Sequence, residues 1–342
     1  MQHEITQAIP LLDEQGELTQ PGWARRLLPV YDRSKVRGRP LRLKQRDCYL
    51  VMNRQCALAL TISDNRYMGM DSISLIDLWE GWQVTRSPMR LMPLGGTGLP
   101  QSSLRGSCAR AGRGYGLLFQ HEGEGRTLHA HMDRFRDGQA LDAQILLTQE
   151  PEESIVMCTP FEKPGQFYFN QKINCMRAQG KVTLGDREYV FDPEDSFAVL
   201  DWGRGVWTCR STWYWGSASG MVDGVPFGFN IGYGFGDTSA ATENALFYGG
   251  KLHKLSQVTF HIPRKNGREH YLAPWTFDSD DRRFRMKFRP ILDRAACPSA
   301  GVVRSGQHQV FGSFTGTAVL DDGTAVRLKE LLGFAEKVDD RW

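Results

Sequence analysis

One stretch of this sequence gathers most of the residues that could do chemistry. LDWGRGVWTCRSTWYWGSASG, residues 200–220, holds Asp201, Arg204 and four of the nine tryptophans: Trp202, Trp207, Trp213 and Trp215. The segment GFNIGYGFGDTSAATENALFYGGKLHKL, residues 228–255, adds Asn230, Asp237, Glu243, Asn244 and His253. Indoles at this density suit an aromatic core or the wall of a ligand cavity, not a solvated surface. A carboxyl set among indoles can donate a proton to a double bond while the rings stabilise the resulting cation. Asp201 and Glu243 are therefore the candidate catalytic groups. Asp201 and Arg204 flank Trp202 and Gly203. Burying either alone would cost roughly several kcal/mol, so they are expected as a buried pair or as a pair facing a cavity.

A second constellation lies in FYFNQKIN. Residues two apart on a strand share a face, so Tyr168, Asn170, Lys172 and Asn174 line one side, and Phe167, Phe169, Ile173 and Cys175 the other. Asparagine is depleted in strands, and two here on one face suit the polar end of a ligand site in a barrel mouth as well as a solvated face. In PFGFNIGYGF, Phe227, Phe229, Ile231 and Tyr233 alternate with Pro226, Gly228, Asn230 and Gly232. The bare face implies close approach of another backbone or of a flat ligand. The candidate ligand-binding residues are Tyr168, Asn170, Lys172, Asn174, Trp202, Arg204, Trp213, Trp215, Asn230, Asp237, Asn244 and His253.

Other chemistry finds less support. His129, His131 and Asp133 would share a strand face, but two histidines without a distant third ligand do not make a metal site, and none is assigned. G-x-S-x-G does not occur: GSASG has Ala218 at its centre and GSFTG has Phe314. GYGFG opens no helix and has the wrong spacing for a dinucleotide. No cofactor is expected.

The elements that must position these groups are strands. DCYLVMN and CALALTIS read as a hairpin, and SISLIDLW and WQVTR bracket Glu80 and Gly81. RFRMKFR sets Phe284, Met286 and Phe288 against Arg283, Arg285, Lys287 and Arg289. About eighteen such runs, with frequent glycine turns and no good helical period, indicate an all-β sandwich or barrel protein. The sequence also predicts an extended N-terminal arm, one short helix near Trp23 to Leu28, and a long loop from Ser87 to Gly114. Three prolines in residues 151–165 mark a boundary between domains 1–155 and 156–342.

Composition narrows the partners. Forty-two basic against 39 acidic residues give a net charge of +3, no argument for nucleic acid or an anionic membrane. No apolar run approaches the roughly 20 residues of a membrane span. Seven scattered cysteines without C-x-x-C fit a reducing compartment, and the N-terminus lacks a signal-peptide pattern, so a cytoplasmic location is expected.

Taken together and in order, PGWARRLLPVYDR, LDWGRGVW, WYWGSASG, NIGYGFGDTSAATENALFYGGKLHKL and GFAEKVDDRW resemble an uncharacterised bacterial "domain of unknown function" family. That family is similar to the lipocalin-like (calycin) group of carotenoid hydratase, tocopherol cyclase and AttH-type proteins. The resemblance implies two lipocalin-like antiparallel β-barrels packed side by side, with few short helices and a cavity for an apolar, lipid- or isoprenoid-like molecule. Some of that group hydrate or cyclise polyenes. Their central motif carries an Asp and a Trp, for which Asp201 and Trp215 are the nearest counterparts, although LDWGRG departs from the pattern. Three functions follow as expectations. One is binding of an apolar small molecule; the second is cofactor-independent hydration or cyclisation through a cavity carboxylate. The third is carbohydrate recognition on tryptophan platforms.

Overall fold

Side-chain alternation along the chain is resolved into two large antiparallel sheets in this computed structural model, which describes residues 2–37, 40–296, 299–300 and 303–341. Cys297 lies outside the described residues. Across the first sheet the main strands run Trp82–Arg86, Met68–Asp77, Cys56–Asp64, Leu43–Met52, Phe197–Val206, Phe167–Leu184, Gln139–Thr148, Arg126–Arg136, Tyr115–His121 and Gly106–Gly112. Across the second they run Lys251–Lys254, Ala245–Tyr248, Val225–Tyr233, Arg210–Val222, Ala325–Arg341, Val303–Val319, Phe284–Ala296, Trp275–Ser279 and Val258–His261. Each sheet curls into a lipocalin-like barrel, and the protein is all-β. Among the described residues the helical content is two 3-10 turns, Arg33–Lys35 and Pro40–Arg42.

Each barrel is filled by its own apolar side chains. Phe167, Phe169, Ile173, Leu200 and Trp202 join the core of the first, and Phe229, Trp275, Phe277, Phe288 and Phe314 that of the second. Phe284, Met286 and Phe288 are buried while Arg285, Lys287 and Arg289 are exposed, as their alternation predicts. Between the barrels lie two further apolar clusters built from both sheets. One joins Leu50, Ala59, Ile76 and Val199 to Trp215, Leu292, Phe311 and Phe334. The other joins Trp23, Ile155, Met157 and Cys175 to Ala241, Ala245, Phe247 and Leu252.

Several local expectations change. The chain passes from one sheet to the other between Val206 and Arg210, so residues 155/156 fall inside the first sheet, at the start of the Ile155–Pro160 strand. The proline-rich stretch only turns the chain into that strand. No helix forms near Trp23. Gly22–Ala24 pairs instead with Val156–Cys158, which places the Trp23 indole in the seam between barrels. The N-terminal arm crosses that seam: the His3 amide donates to Ala240 O, and the Thr242 amide donates to Gln2 Oε1. The Ser87 to Gly114 region is partly strand, and it closes one end of the first barrel through Thr97 Oγ1, which donates to Asp64 Oδ2 at 2.6 Å.

Cys175 is not on the face of Phe167, Phe169 and Ile173. The pairing register shifts between Ile173 and Met176, and Cys175 takes a left-handed φ of 62°. Such a bulge turns a side chain to the other face. The thiol then meets Gly228 of the second sheet, where a Cβ would lie 2.6 Å from Cys175 Sγ and 2.8 Å from Ala218 O. Close packing of the two sheets therefore explains the bare face of PFGFNIGYGF. Gly228→Ala should destabilise the fold by about 1–3 kcal/mol through overpacking, read from the midpoint of guanidinium unfolding. A midpoint unchanged from the parent protein would contradict this close approach.

Candidate functional site between the barrels

Cross-strand register assembles a polar site on the outer face of the first sheet. Lys172, Asp201 and Cys48 stand opposite one another on three adjacent strands, and the next row is Asn170, Gly203 and Arg46. Residues in register share a face, so all project into the seam. The Asp201 carboxylate is buried. It accepts from Lys172 Nζ at 2.7 Å and from the Arg46 guanidinium, with Tyr168 Oη at 3.4 Å. Burial alone would raise the Asp201 carboxyl, but Arg46 and then Lys172 outweigh it and hold the pKa below the usual range.

Lys172 also reaches the second sheet. Its Nζ lies 3.9 Å from the Trp215 ring centroid, a cation–π contact. The Trp215 indole donates to Asn230 Oδ1 at 2.6 Å, and Asn230 Nδ2 donates to Glu243 O at 2.9 Å and Glu243 Oε2 at 3.2 Å. Burial raises the Glu243 carboxyl, which Lys172 and the Asn230 amide only partly offset. A third carboxyl, Glu336, is buried and also raised by burial, with the Gln307 and Gln309 amides each donating to it at 2.9 Å.

Aromatic rings wall one side. Tyr168 packs edge-on against Trp207 and Phe235 with centroids 5.5 and 4.8 Å apart, and Trp213 follows at 6.2 Å from Phe235. Tyr168 and Trp207 lie over the floor left by Gly203, whose missing Cβ would sit 3.1 Å from Tyr168 Cε2 and 3.6 Å from Trp207 Cζ2. Two hollows lie away from these rings. An open groove of about 510 Å³ is lined by Trp82, Arg136 and Arg187 at the rim of the first barrel. A void of about 20 Å³ lies beside Asp47, Tyr49, Arg126 and Trp202.

Residues 2–342 match the family model described as a domain of unknown function, DUF2804. The chain belongs to that family. No match is found among the curated proteins. Among solved structures, the DUF2804 chain is similar to an AttH-type protein from Nitrosomonas europaea, with a TM-score of 0.54 and 13% identity over 86% of this chain and 92% of that one. It is similar to kievitone hydratase from Nectria haematococca, with a TM-score of 0.50 and 10% identity over 98% of both chains. It is also similar to CghA in complex with Sch210972, with a TM-score of 0.50 and 12% identity over 97% of both chains. These neighbours belong to the lipocalin-like AttH group, and at such identities they establish the shared fold.

The other sequence candidates of this DUF2804 chain are dispersed. Asp201 and Arg204 do not pair. Three apart on a strand, they face opposite sides. Arg204 points into the first barrel, donating to Asp47 Oδ1 and Pro100 O at 2.7 Å each and lying 4.3 Å from the Trp202 ring. Trp202 is in that core as well. Asn174 Nδ2 donates to Ser217 Oγ at 2.8 Å and Phe229 O at 3.1 Å, which staples the sheets. Asn244 Oδ1 accepts from the Gly232 amide at 2.7 Å and fixes a loop. Asp237 is exposed and its Oδ1 accepts from the Ser239 amide at 2.9 Å. His253 is 3.3 Å from Asp321. His131 lies on the outer surface between Asp142 and Asp133, at 2.8 and 2.9 Å. Arg46, Phe235 and Glu336 are not singled out by the sequence, and Trp207 is counted there among the indoles but not among the ligand-binding candidates.

The seam carboxyls have opposite signs in their effect on stability. Asp201, lowered in the fold, stabilises above its unfolded pKa, and that contribution is lost as pH falls through its folded value. Glu243, raised in the fold, stabilises only below its unfolded value of about 4.3, and this is lost as pH rises through its folded pKa. Glu243→Gln should therefore raise thermal stability at pH 7 to 8 and leave it unchanged near pH 4. Lys172→Met should lower it at pH 7 by about 3–5 kcal/mol, because one partner of a buried ion pair is removed. A Glu243→Gln gain independent of pH would contradict the neutral bias of Glu243.

Proposed function

We propose that this chain binds a small, mostly apolar molecule in the seam between its barrels. The rings of Tyr168, Trp207, Trp213 and Phe235 supply the contact area, and the polar row around Asn170 and Asp201 supplies orientation. The observation that carries this reading is Asn170. It is 1% exposed, and neither its amide nitrogen nor its amide oxygen has a hydrogen-bond partner among the described residues. Buried polar groups are almost always bonded, so such a group marks the place of an absent partner. The barrel interiors are occupied by their own cores, so the seam replaces the barrel mouth as the ligand position.

A second reading is cofactor-independent proton transfer at the same place, as in hydration or cyclisation of a double bond. The carboxyl pair favours it. Asp201 is held ionised while Glu243 is biased towards the neutral acid, and two carboxyls pushed apart in this way divide the roles of base and acid. One structural neighbour is itself named a hydratase. In this reading Glu243 donates the proton to the double bond, and the rings face the developing cation. Water or a second double bond of the substrate closes on it, and the proton then released returns to the Glu243 carboxylate, while Asp201 orients Lys172 and Tyr168. A carbohydrate platform finds less support, because Trp202, Trp207 and Trp215 are buried and their ring contacts are edge-on. The free thiols of the six described cysteines suit a reducing, cytoplasmic setting.

Quenching of tryptophan fluorescence by all-trans-retinol, an apolar polyene, tests the binding reading. Saturable quenching is expected, with binding weakened about tenfold, or about 1.4 kcal/mol, by Trp207→Ala or Trp213→Ala and unchanged by Trp82→Ala in the outer groove. Loss of binding only with Trp82→Ala would move the site out of the seam.

A further inference from the structure

The polar end of the seam has a definite chemical bias. Around the Gly203 floor, three N–H donors lack a hydrogen-bond partner among the described residues: Asn170 Nδ2, Arg46 Nε and Trp207 Nε1. Asn170 and Arg46 stand on either side of Gly203 in register, with no side chain of position 203 between them. Trp207 Nε1 lies 3.1 Å from where a Cβ on Gly205 would sit, two residues along the same strand. The Arg46 guanidinium is 5.9 Å from the Trp207 ring centroid. Asn170 Oδ1 is likewise without a partner among the described residues.

The fixed charge has the same bias. Arg46 and Lys172 share the single carboxylate of Asp201. Glu243 and Glu336 form no ion pair with either cation among the described residues; their carboxyls are bonded by the amides of Asn230, Gln307 and Gln309. A buried site with spare donors beside two cations is incomplete without an electron-rich oxygen.

We infer that the ligand of the seam carries an acidic oxygen group, a carboxylate, enolate or phenolate, at its polar end. That group accepts from Asn170 Nδ2, Arg46 Nε and Trp207 Nε1, beside the Tyr168 and Trp207 rings that cover Gly203, while the apolar body lies against Tyr168, Trp213 and Phe235. A neutral alcohol or hydrocarbon of the same shape leaves the donors without a charged acceptor. This inference rests on the seam being the ligand site.

Matched probes test it. All-trans-retinoate and all-trans-retinol differ only at the polar end, and their affinities for the full chain can be compared by tryptophan quenching at pH 7.5. Retinoate should bind at least about tenfold tighter, the scale of a charge-assisted hydrogen bond. Asn170→Leu should reduce that ratio to about twofold, with retinoate losing more affinity than retinol. Asn170→Asp, which keeps the shape and adds a negative charge, should weaken retinoate more than retinol, and it provides the comparison if the leucine variant does not fold. Equal binding of the two probes by the parent protein would overturn the acidic-oxygen assignment and leave the seam as the ligand site. Binding of neither probe would overturn both.

Discussion

The carboxylate of Asp201, held between Arg46 and Lys172 out of contact with water, is the constraint on which the seam depends. Removing an ion from water costs several kcal/mol, roughly, even after relaxation, so the three side chains must arrive together. Strand register brings them together: Lys172, Asp201 and Arg46 come from three neighbouring strands, and a slip of one residue would turn any of them into the barrel core. Lys172 then carries the constraint across to the second sheet, since its ammonium caps the Trp215 ring and Trp215 fixes Asn230. The two barrels are thus tied by a charge as well as by apolar contact.

The apolar clusters on either side explain how that charge is kept dry. The cluster around Phe334 and the cluster around Trp23 both join residues of the two sheets and border the polar rows. In such surroundings each charge-assisted bond strengthens, and each unpartnered donor becomes more costly. Glycine completes the arrangement. Gly203 leaves a floor that Tyr168 and Trp207 cover, while Gly228 lets the second sheet come within contact of Cys175.

What was legible in the sequence follows from what a single strand encodes. Alternation placed Tyr168, Asn170, Lys172 and Asn174 on one face, and that face is the seam. The same rule, applied to a spacing of three, forbids the pairing of Asp201 with Arg204, and each found a partner more than 100 residues away in sequence. Arg46 sits in LKQRDCYL, where nothing local distinguishes it, because its role depends on register with a strand that begins at Phe197. Trp207 and Phe235 matter through a ring cluster formed by a connection and a loop. Cys175 escaped because one left-handed residue reverses the alternation. The division at 155/156 failed because prolines mark turns, and a turn within a sheet looks the same in sequence as a turn between sheets.

Filled barrels have a consequence for where activity can arise in this fold. Here Phe, Trp, Leu and Ile side chains of each barrel pack against one another, and both interiors are occupied. The exceptional groups have moved outward, to the faces that the barrels turn towards each other. There the two carboxyls nearest Lys172 are driven apart, Asp201 towards the anion by its cations and Glu243 towards the acid by burial. The separation needs both sheets. Arg46, Lys172 and Asp201 belong to the first, and Asn230 and Glu243 to the second, so neither barrel alone holds the unlike pair. A change in how the barrels pack would alter the ionisation of both carboxyls before it disturbed either core.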